Sequence, residues 1–204
     1  MSVIRYAVAA FAAVTSATVV SSTSFAQTTT PPPPATAVVT PTPPPPPPVT
    51  IDVGRPAPDF TLSWADSVGA RKAPLTLSNL KGKVVVLAFY PGDRTTGCAA
   101  ELTKFRDEYS RMFGSNTVVI PISADSIGSH ASWAQEMKFP FALASDPQLS
   151  VADKYGSHNS GRGYASRTVF VIGKDGRILW RNLKFGALNE GAYSELAAEV
   201  AKAQ

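Results

Sequence analysis

A continuous apolar run, Lys83 to Tyr90, leads through a short Pro- and Gly-containing loop into an amphipathic run from about Cys98 to Phe113. A run that is apolar throughout, rather than at alternate positions, is typical of a strand covered on both faces of a sheet. In the second run, apolar residues recur three and four positions apart, which is typical of a helix with one buried face. The two runs together predict a buried strand followed by a helix, and therefore a domain of the α/β class.

Later segments extend this pattern over a folded domain that we expect to span residues 51–204. An Asp-Gly pair, Asp175-Gly176, between two strand-like runs indicates a β-hairpin. Either Ser126 or Ser129 is suited to cap a helix, and Asn189 is suited to cap the last one. The predicted elements are strands over 83–90, 117–122, 141–144, 167–172 and 177–183, and helices over 98–113, about 126–138, 149–155 and from 189 onward. This order predicts a three-layer α/β/α sandwich with a mixed central sheet.

Residues 1–50 differ in composition from the rest, because they contain a single charged side chain, Arg5. Residues 1–26 indicate a secretory signal peptide, with Arg5 at its start, an apolar core over 6–20 and a small-x-small cleavage site, Ser24-Phe25-Ala26. The apolar core is shorter than the roughly 20 residues that cross a bilayer. We therefore expect export without stable membrane insertion, to a periplasm or to the extracellular space. The alternative is an uncleaved anchor helix.

Residues 27–50 contain eleven of the 18 prolines and no charged residue. Proline lacks the backbone donor that helices and sheets need, so we predict a disordered, extended tether. The alternative is a ligand for a proline-binding module. The remaining 154 residues carry a net charge of only +3, from 18 Lys and Arg against 15 Asp and Glu, which argues against nucleic acid as a partner.

Cys98 is the only cysteine, and it lies where the predicted loop enters the predicted helix. Unpaired N–H groups and partial positive charge at a helix N-terminus favour a thiolate over a thiol. A lone cysteine is also commonly an inert core residue. No internal disulfide can form with one cysteine, so the thiol is free, blocked or paired with another molecule. Cys98 is therefore a candidate nucleophile.

Pro91, Thr95 and Cys98 stand in the spacing Pro-x-x-x-Thr-x-x-Cys, which resembles the active-site signature of the peroxiredoxins. The resemblance covers roughly residues 53–184. Further matches follow in the family's order at residues 55–62, 80–87, 122–126, 145–147 and 167–176. Gly97-Cys98 followed by Glu101 is most similar to the bacterioferritin-comigratory, or Q-type, branch. The resemblance implies a thioredoxin-like fold and a thiol-dependent peroxidase of hydrogen peroxide or organic hydroperoxides.

The same resemblance implies roles for individual residues. Cys98 would attack the peroxide and become a sulfenic acid. The Thr95 hydroxyl would contact the sulfur and the peroxide, and backbone N–H groups around Gly97 and Cys98 would donate to the peroxide. Arg167 would stabilise the thiolate and orient the substrate, while Pro91 would shield the thiol. Each of these residues also has a simpler interpretation. Thr95 could be an ordinary turn residue, Arg167 a surface residue of a strand, and Pro91 a residue that only ends a strand.

Glu101 is a candidate supporting residue, although an acidic side chain in the first turn of a helix needs only the helix dipole to explain it. His130 and His158 lack metal-ligand spacing, and we expect both at the surface or in loops. We expect no metal and no cofactor.

The resembled branch often carries a second, resolving cysteine five positions after the first, but here that position is Thr103. We therefore expect a one-cysteine enzyme, a monomer or homodimer, that is recycled by an external thiol, either a thioredoxin-like protein or a small thiol. One alternative is thiol–disulfide exchange, which usually uses Cys-x-x-Cys, whereas this chain has Thr95. Another is a binding or holdase module on the same scaffold.

Overall fold

A computed structural model of the protein describes residues 51–204, so the predicted signal peptide (1–26) and proline-rich tether (27–50) lie outside the described residues. Among these residues, no helix combines the length and apolarity needed to cross a bilayer. The strands are β1 Thr61–Asp66, β2 Gly69–Ala70, β3 Leu75–Thr76, β4 Val84–Phe89, β5 Thr117–Ser123, β6 Leu143–Ser145, β7 His158–Asn159, β8 Tyr164–Ala165, β9 Thr168–Ile172 and β10 Ile178–Asn182. The helices are α1 Thr96–Asp107, α2 Tyr109–Phe113, α3 Ile127–Met137, α4 Ser150–Lys154 and α5 Glu190–Ala203, with a 3₁₀ helix at Leu77–Leu80.

The central sheet has the strand order β10-β9-β4-β5-β6-β1-β2, with β3 paired to β1. Strands β4, β5 and β6 run parallel, whereas β9 runs antiparallel to β4 and β10 antiparallel to β9. The sheet is therefore mixed, as predicted. All six residues of β4 are buried, which agrees with the continuous apolar run that predicted a central strand.

Alternate residues of β4 support two separate apolar layers. Val86 and Ala88 belong to a cluster that includes buried residues of α1, α2, α3 and α5. Leu87 and Phe89 point to the opposite face, where they join a cluster with residues of the 3₁₀ helix and α4. Because successive side chains of a strand point to opposite faces, one strand anchors both layers. The predicted α/β/α sandwich is confirmed.

Two predicted caps are present. Ser126 Oγ accepts a hydrogen bond from Ser129 N (3.3 Å) at the start of α3, and Asn189 Oδ1 accepts one from Gly191 N (3.0 Å) at the start of α5. The predicted single helix over 98–113 is wrong, because α1 ends at Asp107 and α2 begins at Tyr109. The break lies at Glu108, whose φ and ψ of −106° and 15° leave the helical region.

Strand β1 was not predicted from the sequence. It pairs antiparallel with β6, with Trp64 opposite Ala144, and it carries buried, half-buried and exposed residues. Its polar residues, such as Thr61 and Ser63, dilute the apolar alternation that would indicate a strand. The strand extends the sheet on the side away from β10.

Candidate active site

Cys98, the candidate nucleophile, lies where strand β4 turns into helix α1. Tyr90 N donates to Ile122 O (3.0 Å), which continues the sheet by one residue beyond β4. The loop then turns through Arg94, whose φ of 58° lies in the left-handed region, and reaches Thr95 at the N-cap of α1. Cys98 is the third residue of α1, so its thiol lies in the first turn of the helix, as predicted.

Arg167 reaches this thiol because of strand pairing. The residue after it, Thr168, pairs with Phe89 in the antiparallel β4–β9 ladder, so Arg167 lies beside the end of β4. Arg167 Nη2 donates a hydrogen bond to Cys98 Sγ at 3.2 Å. The Cys98 side chain has no exposed surface, and that of Arg167 is 17% exposed. A guanidinium at this distance stabilises negative charge on the sulfur.

Gly97 makes this approach of Arg167 possible. A Cβ atom at position 97 would lie 3.2 Å from Arg167 Nη2, which is closer than an ordinary van der Waals contact. The absence of a side chain therefore leaves room for the guanidinium above the first turn of α1. The predicted role of the Gly97 N–H toward peroxide remains a prediction.

Glu101 lies below Arg167 on the second turn of α1, and it is fully buried. Its Oε2 accepts from Arg167 Nη1, and its Oε1 has no hydrogen-bond partner among the described residues. Burial raises the pKa of Glu101 to about 7, although Arg167 opposes this rise. Burial lowers the pKa of Arg167, but Glu101 and Cys98 outweigh it and raise that pKa overall. The interpretation that Glu101 interacts only with the helix dipole is therefore wrong. Glu101 lies beyond the first turn, and its partner is Arg167, which also donates to the Cys98 thiol.

The remaining predicted site residues lie in the loop before α1. Thr95 Oγ1 donates to Gly92 O (3.1 Å), and among the described residues it makes no hydrogen bond to Cys98. Pro91 is half-buried directly after Tyr90. The structure thus joins Cys98, Arg167, Gly97 and Glu101 in one contact network, while the Thr95 hydroxyl is used inside the loop.

A buried polar group behind the loop was missed by the sequence reasoning. His130, predicted at the surface or in a loop, is fully buried in α3, so that prediction is wrong. Its Nδ1 lies 3.0 Å from Asp93 Oδ2. Asp93 also accepts from Tyr90 Oη (2.7 Å) and Ser129 Oγ (2.6 Å). The only sequence signal was an acidic residue in the loop, and a single sequence does not show which distant residue it pairs with.

A buried thiol under an arginine, at the N-terminus of a helix that follows a central strand, defines a thiol-based redox site. The model of the AhpC/TSA family matches residues 53–181. A bcp peroxiredoxin sequence of Coxiella burnetii is 38% identical over 144 residues, which cover 67% of this chain and 92% of the relative. Peroxiredoxin Bcp of Bacillus subtilis is 34% identical over 144 residues, covering 67% and 88%.

Among solved structures, peroxidoxin BcpB of Mycobacterium tuberculosis matches with a TM-score of 0.63 and 29% identity, covering 74% of this chain and 97% of that one. The chain belongs to the AhpC/TSA family. Its relatives place it with the peroxiredoxins of the Bcp or Q type, and the fold is thioredoxin-like, as predicted.

Proposed function

We propose that the protein is a secreted thiol-dependent peroxidase in which Cys98 is the nucleophile. Membership of the peroxiredoxins supports peroxide reduction as the activity. The observation that carries the assignment to Cys98 is the hydrogen bond from Arg167 Nη2 to its sulfur. A buried thiol that served only for packing would not need a charged donor on its sulfur.

In the proposed reaction, the Cys98 thiolate attacks the distal oxygen of a hydroperoxide. The S–O bond forms as the O–O bond breaks, and the departing alkoxide or hydroxide takes a proton to leave as an alcohol or water. Cys98 becomes a sulfenic acid. Ionisation of a thiol alone gives a limited gain in rate. The larger part of the rate enhancement over a free thiol must therefore come from groups that stabilise charge on the departing oxygen.

Arg167 is the group best placed for that task. Its fixed positive charge lies at the sulfur, and its second nitrogen is held by the carboxyl of Glu101. A planar guanidinium can bind two partners at once, which fixes its orientation before the substrate arrives. Backbone N–H groups of Gly97 and Cys98 are the further donors that we assign to the peroxide, and Pro91 is assigned to shielding the thiol.

Thr95 requires a change of partner to take the role that the family resemblance implies. Its hydroxyl donates to Gly92 O in this structure. We propose that the substrate draws the hydroxyl toward the sulfur, since catalytic hydrogen bonds often tighten only in the substrate complex.

The return to the thiol needs an external reductant, because the chain has one cysteine. A first thiol converts the sulfenic acid to a mixed disulfide and releases water. A second thiol then frees Cys98 and leaves as the oxidised disulfide. We propose a thioredoxin-like protein or a small thiol in this role, acting on a monomer or homodimer. The signal peptide predicted in residues 1–26 supports a periplasmic location, with an extracellular one as the alternative.

The test uses the reduced full-length protein mixed with hydrogen peroxide, with Cys98→Ser and Arg167→Ala beside it. Quenched samples are alkylated, and the mass of the chain reports the remaining thiol and any oxygen added. We expect oxidation at least about 100-fold faster than that of free cysteine, one sulfenic acid per chain, and a strong dependence on Arg167. Oxidation no faster than that of free cysteine would leave a peroxiredoxin-shaped binding module.

A further inference from the structure

The polar group behind the active-site loop consists of three buried side chains and the half-buried Ser129, and we call it the Asp93 cluster: Tyr90, Asp93, Ser129 and His130. The Asp93 side chain is 3% exposed and that of His130 is 0% exposed. Asp93 belongs to the loop that carries Thr95 into α1, whereas Ser129 and His130 belong to α3. The cluster therefore joins the loop to a different helix.

Asp93 is the common acceptor of the cluster. Asp93 receives donors from Tyr90 and Ser129 as well as the imidazole of His130. Burial alone would raise the pKa of Asp93, but the hydrogen bond and charge of His130, with Ser129 and Tyr90, lower it overall. An ionised carboxylate only accepts, so the proton between the two residues lies on His130 Nδ1.

A second set of contacts holds the same loop. The backbone N–H of Asp93 donates to Asp125 Oδ2 (2.9 Å), which also accepts from Ser123 Oγ (2.7 Å). The next residue, Arg94, is in the left-handed region with φ of 58°, and its guanidinium donates to Ser132 Oγ and Glu136 Oε2, both at 3.0 Å. A non-glycine residue in this region is held there by its surroundings.

The Asp93 cluster can influence the reaction of Cys98 without contacting Cys98 or Arg167. The side chains of the cluster hydrogen-bond to one another, whereas the side chain of Arg167 donates to Cys98 and to Glu101. Asp93 precedes the N-cap residue of α1 by two positions and Cys98 by five. A displacement of the loop would move the first turn of α1, and a shift of about 1 Å in a reacting group can cost roughly 100-fold in rate.

We propose that Asp93 and His130 form a positioning pair that fixes the active-site loop, so that Thr95 and the first turn of α1 meet the peroxide in reactive geometry. The inference rests on the peroxidase function proposed above. Fold stability is the competing explanation for the pair. A buried hydrogen-bonded charge is weak evidence for stability, because desolvation offsets much of what the contact provides.

The chain offers a matched pair of substitutions at position 130. The amide of His130→Asn can place its N–H where Nδ1 donates to Asp93, whereas the amide of His130→Gln extends to the position of Nε2. Both variants are polar and uncharged, and they differ by one methylene. We expect peroxide oxidation of Cys98 to slow by roughly 10- to 100-fold in the Gln variant and by less than about threefold in the Asn variant. His158→Gln, at the half-exposed histidine bound to Asp153, is the control and keeps the wild-type rate.

Two further measurements separate positioning from a general loss of structure. Alkylation of Cys98 by iodoacetamide does not use the peroxide geometry, so its rate falls by no more than about threefold below wild type in either variant. Hydrogen exchange at the amides of residues 92–96 speeds up in the Gln variant only, and this readout does not depend on activity. Equal rates of peroxide oxidation in the Asn and Gln variants, whether both normal or both slow, would overturn the proposal. A Gln variant whose peroxide oxidation and iodoacetamide alkylation slow by the same factor would overturn it as well.

If a position-130 variant fails to fold, Ser129→Ala carries the test, because it removes one donor to Asp93 and leaves the imidazole in place. Peroxide oxidation then slows severalfold at an unchanged alkylation rate, and an unchanged peroxide rate would overturn the positioning role. The rate of the wild-type protein against free cysteine decides the proposed function separately. Failure of that function and failure of this inference are therefore distinguishable.

Discussion

The guanidinium of Arg167 occupies the space that a side chain at position 97 would need. The ideal Cβ position at Gly97 lies 3.2 Å from Arg167 Nη2, and the same Nη2 lies 3.2 Å from Cys98 Sγ. The missing side chain one residue before Cys98 thus favours the close approach of the arginine to the thiol. This relationship turns a helix position at which alanine would normally be favourable into one at which alanine is costly for the reaction.

Gly97→Ala is therefore expected to slow peroxide oxidation of Cys98 by at least roughly tenfold, because one charge-assisted hydrogen bond is displaced. The free energy of unfolding stays the same or rises, since alanine favours the helix. Stopped-flow oxidation and urea unfolding measure the two quantities. Gly128→Ala in α3 is the control, because its Cβ would meet only Ser126 Oγ at 3.9 Å. A wild-type rate in Gly97→Ala would contradict the prediction.

Arg167→Lys separates positive charge from geometry. Lysine keeps the charge but has a single ammonium nitrogen. It cannot reproduce the arrangement in which two nitrogens of Arg167 donate separately to Cys98 and to Glu101. We expect a loss of roughly 10- to 100-fold in the second-order rate with peroxide, which corresponds to one hydrogen bond to a charged group. Arg177→Lys, at an exposed residue in the β9–β10 turn at the opposite end of β9 from Arg167, should leave the rate unaltered. Equal rates for Arg167→Lys and wild type would show that charge alone suffices.

Glu101 gives the protein a predictable pH dependence of stability. Burial raises its pKa from 4.5 to about 7, so between these values the folded chain keeps a proton that the unfolded chain has released. Because the folded state binds more protons, this group's contribution to the free energy of unfolding falls as pH rises from 4.5 to about 7 and is constant above that.

The measurement is urea unfolding across that pH range for wild type and for Glu101→Gln, which cannot titrate. The Gln variant is expected to lose less stability than wild type as pH rises. Glu195→Gln, at an exposed residue that accepts from Trp180 Nε1, should keep the wild-type dependence. Parallel curves for wild type and Glu101→Gln would refute the assignment.

Asp146 supports the fold and not the reaction. Its buried carboxylate accepts from the backbone N–H groups of Val151 (3.0 Å) and Ala152 (2.9 Å) at the start of α4. Asp146→Ala leaves both buried donors without this partner, so we expect a loss of at least about 2 kcal/mol in the free energy of unfolding. Peroxide oxidation of the folded variant should stay within about twofold of wild type, because α4 lies on the opposite face of the sheet from α1. Urea unfolding and stopped-flow oxidation test the two halves separately.

The parts of the fold that the sequence predicted are those decided by local pattern. The apolar run of β4, the Asn189 cap and the Asp175-Gly176 hairpin each need only a few neighbouring residues to be recognised. The position of Cys98 in the first turn of α1 could likewise be predicted from neighbouring residues, namely the apolar run and loop before it and the amphipathic run after it. The sheet edge formed by β1 was missed because its half-exposed residues carry little apolar alternation.

The parts that the sequence did not predict depend on contacts between distant residues. Glu101 and Arg167 are 66 positions apart, and Asp93 and His130 are 37 apart. A carboxylate in a helix and a histidine after a serine have ordinary surface explanations until the partner is known. Only the pairing of β4 with β9 and the packing of α3 against the loop bring these polar groups together and make their burial tolerable.

Cys98 is completely buried, and this burial affects the two halves of the proposed cycle, oxidation by a hydroperoxide and reduction by a thiol, to different degrees. A hydroperoxide needs to bring only one oxygen atom to the sulfur, but a reducing thiol must bring its own sulfur to about 2 Å from the Cys98 sulfur to form the mixed disulfide. A protein thiol meets that requirement only when the first turn of α1 opens. Reduction by a protein would then carry the steep temperature dependence of a local unfolding event, whereas a small thiol needs a smaller displacement of the same turn and would show a weaker temperature dependence.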